Sequence, residues 1–351
     1  MGHRWLKERW DVAALVALAA APLVVPALGG ALGGQVTTLF IFCILALGLN
    51  VMVGYTGLLH LGIAAFFGIG AYLLAVLTVP LFPFQIGWLA AAAVSIAVTA
   101  GIGLALGAPM LKLRGDALAI VTLGFGEVVK VTLRNLEQIT GGMKGLNPVP
   151  PPGAGVTIAG TDLGMAFAVD PRWFYYLSLA ALAGVVWAMR RLEASRLGRA
   201  WAAVREDELA AATLGISATQ VKLSAFAMSA AVAALAGCLY AATLSTTADP
   251  NAYDFNRSIT VLCAVIIGGL GSIPGTLLGV AILVGFDTVF IPAADSLIQQ
   301  VSGTANGWSL LSLGSWRLAI FGLALVLVMR YRPAGLIPSR RLAAEWQRGA
   351  Q

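Results

Sequence analysis

Charge is scarce in this chain. It has 22 Lys and Arg and 16 Asp and Glu in 351 residues, or 11% charged, against 59% hydrophobic residues and a mean hydropathy of +0.87. So little polar surface cannot cover a soluble globule of this length, which places the chain in a bilayer. Histidine is almost missing: His3 and His60 are the only two, so chemistry built on imidazole is not expected. Cys43, Cys238 and Cys263 are odd in number, widely spaced and each inside an apolar run, and are read as packing residues rather than disulfides or ligands. No G-x-x-x-x-G-K-[ST] loop occurs, since neither GGMKG nor GLGSIPG has its Lys and hydroxyl at the required spacing. Paired catalytic carboxylates, H-E-x-x-H and a Ser with a His partner are also missing. Neither an enzyme nor a cofactor is therefore expected, nor a nucleic-acid partner. The short alternating segments of a β-barrel do not appear either.

What the chain has instead is a series of apolar runs, most of them long enough to cross about 30 Å of hydrocarbon as a helix. Ten are read: Val12 to Leu28, Val36 to Val53, Gly62 to Val79, Ile86 to Gly107, Ala117 to Leu133, Trp173 to Met189, Leu223 to Leu244, Ile259 to Leu270, Thr276 to Phe290 and Trp316 to Met329. The first follows the basic flank Arg4, Lys7 and Arg9 and is read as an uncleaved helix, kinked at its outer end by Pro22 and Pro26. The eighth is short, so it and the ninth either cross fully or pair as half-helices. The expected fold is an all-α, polytopic membrane domain over residues 1–351.

Basic residues orient it, because loops rich in Lys and Arg stay cytoplasmic. With both termini inside, ten spans leave 16 of the 22 basic residues on the cytoplasmic face. Nine or eleven spans would strand either the loop after Met189 or the basic carboxyl tail outside. Five spans per half force the two halves into opposite orientations, so any repeat is an inverted one.

Two loops stand out. The outer loop, 134–172, contains NPVPPPGAG and reads as an ordered cap or a plain connector. The cytoplasmic loop, 190–222, holds six basic residues and a short helix from about Glu206 to Leu214. Glu206, Asp207 and Glu208 complement the positive end of that helix, and Gly215 suits a left-handed cap. Leu209, Ala212, Thr213 and Ile216 form a thin stripe amid Ala202, Ala203, Ala210 and Ala211. Such a helix fits a groove on another protein better than it anchors in lipid.

The segment GRAWAAVREDELAAATLG, with Arg199, Arg205, Glu208, Ala210, Ala211 and Gly215, resembles the cytoplasmic coupling loop of ABC importer permeases. GLNVMVGYTGLLHLGIAAFFGIGAY (Gly48 to Tyr72), TLGFGEVVK, TGGMKGL, GGLGSIPGTLLG and RPAGL follow in the order found in LivM-type permeases of branched-chain amino-acid importers. That resemblance covers most of the chain. It implies an inner-membrane permease subunit working with a LivH-like sister permease, two cytoplasmic ABC ATPases and a periplasmic substrate-binding protein. Its cargo would be leucine, isoleucine or valine, with urea, short amides or aromatic acids as alternatives inside the family. His60 stands where the family usually has Ser, and Ile63 where it often has His, a departure that bears on the cargo.

Glycine at Gly54, Gly57, Gly62, Gly68 and Gly70, and again from Gly268 to Gly279, serves either close helix packing, the commoner role, or an irregular pathway lining. Asn50, Gly57, His60, Gly62, Phe66, Glu127 and Gly271 are the candidate pathway residues. Glu127 has Lys130 at i+3 as a partner, since an unpaired intramembrane carboxylate is costly. The rival from another class, an ion-coupled secondary transporter, would want carboxylates at mid-membrane and no docking loop. The chain offers it chiefly Glu127 and Asp287.

Overall fold

The computed structural model describes residues 31–83, 85–110, 116–153, 172–247, 249–291, 313–332 and 335–337, with a few positions between 157 and 170. The expected first span, Val12 to Leu28, and the basic tail lie outside the described residues. Among the described residues there are twelve α-helices: α1 Ala31–Asn50, α2 Ile63–Thr78, α3 Trp88–Met110, α4 Asp116–Asn135, the single turn α5 Glu137–Thr140, α6 Arg172–Ala194, α7 Arg196–Glu206, α8 Glu208–Thr213, α9 Ala218–Leu244, α10 Phe255–Gly268, α11 Ile273–Gly285 and α12 Leu313–Tyr331. Nine of the ten expected spans therefore coincide with helices. Among the described residues, four helical stretches are long and apolar enough to cross a membrane: Gly34–Tyr55, Trp88–Pro109, Arg172–Ala194 and Ala218–Leu244. Two short antiparallel strands, Thr157–Ile158 and Thr161–Asp162, add a small β element within the 134–172 segment.

The core is built on α1 and α9, which pack together. α9 also packs on α2 and α3, while α1 packs on α6, α10 and α11. Small residues bring backbones into contact. A Cβ at Gly237 of α9 would sit 2.0 Å from the Phe67 carbonyl oxygen, and one at Gly70 of α2 would sit 2.5 Å from Ala234 Cα. The α10–α11 hairpin closes the same way, a Cβ at Gly268 falling 2.0 Å from the Gly275 carbonyl oxygen. Close packing is thus what most of these glycines do. On α3 the polar residues turn inward: Ser95 and Thr99 are buried and return their hydroxyls to Ala91 and Ser95 carbonyls, both at 2.7 Å. Its outer face carries Leu89, Val94, Val98 and Leu104, the pattern of a helix that meets hydrocarbon. The three cysteines are free and buried.

The 134–172 segment packs onto the bundle. Leu146 and Val149 are buried, and the loop is laced onto the end of α9: Leu146 N–H donates to Thr247 Oγ1 at 2.8 Å and Val149 N–H to the Ser245 carbonyl at 2.9 Å. These bonds satisfy backbone groups that prolines leave without a ladder.

Candidate functional site

The 190–222 segment folds as two helices at one end of the bundle. α7 begins at Ser195, whose side chain accepts from Gly198 N–H at 3.3 Å. It ends one residue before Asp207, and here the expected single helix from Glu206 to Leu214 is corrected. Asp207 is extended (φ −155°, ψ 116°), with its carboxylate accepting from Leu209 N–H at 2.8 Å and Ala210 N–H at 3.0 Å. An N-cap requires non-helical backbone, so Glu206 becomes the last residue of α7 and Glu208 the first of α8. Gly215, at φ +79°, donates its N–H to the Ala212 carbonyl at 3.0 Å, and Ile216 donates to Ala211 at 3.1 Å, which stops α8. Ala211 faces inward, whereas Ala210, Ala212, Thr213, Leu209 (76% exposed) and Leu214 (79% exposed) face out. Arg199 is exposed and donates to the Ala194 carbonyl at 3.0 Å.

Three attachments tie this pair to the bundle. Lys222 of α9, buried, pairs with Glu208 at 2.8 Å. Trp201, fully buried, donates its indole N–H to the Val221 carbonyl at 3.2 Å and to Ser224 Oγ at 2.9 Å, and its ring stacks on Tyr55 at 6.2 Å and 12°. Arg205 donates from Nη1 to the carbonyl of Gly54.

Tyr55 and Gly54 belong to a π-helical turn, Val51–Tyr55, that ends α1. Beneath Arg205 this turn forms a tight knot. Asn50, 1% exposed, accepts from Gly271 N–H at 2.9 Å, which satisfies a buried amide. A Cβ at Gly54 would sit 2.0 Å from Asn50 Oδ1 and 2.5 Å from Gly271 N, and one at Gly57 would sit 3.1 Å from Arg205 Cγ. Gly271 itself holds φ +72° in the α10–α11 turn. The RPAGL segment reaches the same end of the bundle: Leu336 and Ile337 donate, each at 2.9 Å, to the Ile267 and Gly268 carbonyls that close α10.

Of the candidate pathway residues, Gly57 and Gly271 therefore lie against Arg205, and Asn50 is bonded to Gly271. The rest lie elsewhere. His60 is buried, its ring stacked on Phe66 at 5.6 Å and edge-on to Phe226 at 5.8 Å, with no hydrogen-bond partner on either nitrogen among the described residues. Gly62 lies against α4, a Cβ there falling 2.3 Å from the Thr122 carbonyl oxygen, and Phe66 packs on Phe125. Glu127 pairs with Lys130 at 2.6 Å on α4. Trp201, Tyr55 and Lys222 were not singled out from the sequence. Trp201 carried one signal, as the only aromatic on the inward face of α7.

The Glu208–Lys222 pair yields an asymmetric prediction. Glu208→Gln leaves the ammonium of a buried lysine without its carboxylate, whereas Lys222→Met releases a carboxylate that is 38% exposed and returns to water. The first variant is expected to lose about 1–3 kcal/mol and the second less, read as melting temperatures of the purified complex. The reverse order would rule out a buried lysine.

The family of branched-chain amino-acid transport system permease components matches residues 31–329. The chain is 37% identical over 323 residues to the high-affinity branched-chain amino-acid transport system permease protein LivM of Salmonella typhimurium, covering 87% of this chain and 69% of the relative. It is 36% identical over 332 residues to LivM of Escherichia coli, covering 90% and 72%. It is also 25% identical over 263 residues to LivH of Escherichia coli, covering 69% and 79%. No solved structure matches. With a bundle of apolar helices and a match along nearly its whole described length, the chain belongs to the family of permease components of branched-chain amino-acid ABC transport systems.

Proposed function

We propose that the chain passes branched-chain amino acids inward across a bacterial inner membrane as one half of a permease heterodimer with a LivH-like sister. A periplasmic binding protein delivers the cargo and two cytoplasmic ABC ATPases drive the cycle. The observation that carries this reading is α8, on which Leu209 and, at its C-cap, Leu214 stand exposed at the end of the bundle while its other side is pinned to α9 by Glu208 and Lys222. Exposed leucines on a rigidly mounted helix are suited to fill an apolar groove on a partner. The mounting would carry the partner's movement inward, through Trp201 to the π turn of α1 and through Arg205 to Gly54, Asn50 and the Gly271 turn.

Ten spans with both termini cytoplasmic complete the reading. The helix contacts support an inverted repeat of five plus five. If α1, α2, α3 and α4 correspond to α9, α10, α11 and α12, the contacts of α9 with α2 and α3 match those of α1 with α10 and α11. The α2–α3, α2–α4 contacts likewise match α10–α11 and α10–α12. Each half then lends its second span to the core of the other.

Affinity purification of the tagged chain from its native membrane tests the assembly. Two ATPases and a second permease are expected to co-purify. Leu209→Glu is expected to lower ATPase recovery at least about tenfold, the scale of a lost hot-spot side chain, with the sister permease retained. Recovery of neither ATPase with the unsubstituted chain, or proton-driven uptake by the chain alone, would overturn the reading.

A further inference from the structure

The exposed faces of the bundle are of two kinds. Those of α3 and, ahead of its last turn, α12 carry apolar side chains, with Leu89, Val98, Leu323 and Val326 outward. The face where α4 meets α10 is different. Near the middle of α4, Glu127 is 40% exposed and its partner Lys130 22% exposed, and Asp254, the residue that caps α10, lines the same crevice as Glu127. Charged groups in open contact with acyl chains cost about 2.5–3.5 kcal/mol each at a helix centre, so this face is one that protein or water covers.

Beside the ion pair lies a crevice between α2, α4 and α10. Its apolar wall is Leu61, Ala64, Leu123 and Phe255, and Glu127 stands at its rim. The polar groups around it are already committed to structure. Ser258 Oγ accepts from Ala64 N–H at 3.1 Å, and Asp254 caps α10 by accepting from Arg257 N–H at 3.1 Å. The Glu127–Lys130 pair is different, because it joins two residues of one helix.

We infer that Glu127 and Lys130 form a transient subsite for the zwitterionic head of an aliphatic α-amino acid, with the Leu61, Leu123 and Phe255 wall taking its side chain. This rests on the permease reading and names where on this chain that cargo is met. The carboxylate of Glu127 would exchange Lys130 for the cargo's ammonium, and Lys130 would turn to the cargo's carboxylate. One ion pair thus becomes two, and no charge is left unpaired at membrane depth. The crevice is closed in this conformation, so occupancy requires α4 to part from the Pro250–Tyr253 turn and α10. The segment that leads into α2 is joined to α4 by the bond from Leu61 N–H to Thr122 Oγ1 at 3.1 Å.

Leucine uptake by the whole assembly in proteoliposomes, with loaded binding protein inside the periplasm-facing compartment, tests the subsite. Glu127→Gln and Lys130→Gln are each expected to lower turnover about tenfold, the scale of one charge-assisted hydrogen bond, with KM for the loaded binding protein and basal ATP hydrolysis unchanged. The decisive variant is the charge swap Glu127→Lys/Lys130→Glu. A purely structural pair is restored by the swap, because the i,i+3 attraction survives it. A cargo-binding pair is not, since the reversed polarity no longer fits an amino acid whose side chain must lie in the crevice. Turnover that stays down overturns the structural account, and turnover restored to the unsubstituted level overturns the subsite. The unsubstituted assembly reports separately on the permease reading. Uptake of an uncharged amide in place of any amino acid would overturn the zwitterion assignment while leaving the chain a permease.

Discussion

Gly54→Ala is expected to abolish uptake by the assembled transporter, lowering its rate at least about a hundredfold, equivalent to roughly 2.7 kcal/mol against the native knot. The cause is geometric. The added methyl would sit 2.0 Å from Asn50 Oδ1 and 2.5 Å from the backbone nitrogen of Gly271. The first neighbour is a side chain and can turn away, at the cost of the bond that Gly271 N–H makes to it. The second is backbone held in a left-handed turn and has no such freedom. The π turn would therefore separate from the α10–α11 turn, and the Gly54 carbonyl that receives Arg205 would move with it. Uptake by variants of matched membrane abundance measures the effect. In the double variant Asn50→Ala/Gly54→Ala only the side-chain conflict is relieved, so rescue should be partial. Full activity in Gly54→Ala would show that the knot yields more easily than its packing implies.

Trp201→Ala is the second large effect. A fully buried indole, stacked on Tyr55 and donating to Val221 and Ser224, is replaced by a methyl, and large-to-small substitutions of this kind cost about 3–5 kcal/mol. The loss is local to the joint between α7 and the end of α1. The outward side chains of α8 and its tether through Lys222 remain. ATPases are therefore expected to stay bound while uptake per ATP hydrolysed falls at least about tenfold, given that one tenth corresponds to only 1.4 kcal/mol. Trp201→Phe keeps a ring against Tyr55 but deprives Ser224 of its donor, and should fall between the two. The ratio of leucine uptake to ATP hydrolysis in proteoliposomes is the measurement. Loss of the ATPases in step with uptake would make Trp201 a folding residue rather than a transmitter.

These two positions mark the boundary of what could be read in advance. Gly54 was visible as one of a run of glycines, and close packing was the better of its two readings. Nothing in the run distinguished it from Gly68 or Gly70, because what makes it critical is Gly271, more than two hundred residues later. Trp201 was an aromatic within a motif. Its partner Tyr55 lies in another motif, and only the fold stacks them.

Composition alone determined that this chain lives in a bilayer, since apolar length and scarce charge leave no other solution, and the positions of nine helices followed from the same hydropathy. The ending of α8 at Gly215 was also legible, as capping is a matter of neighbouring residues. The break at Asp207 was not, because an acidic residue serves equally in a first turn or as the cap before it. Only the tertiary structure decided that the segments around Asn50, Arg205, Gly271 and Leu336 converge at one end of the bundle. Local preference acts over a few residues, whereas that convergence depends on which helix faces bury together, a property of the whole packed bundle.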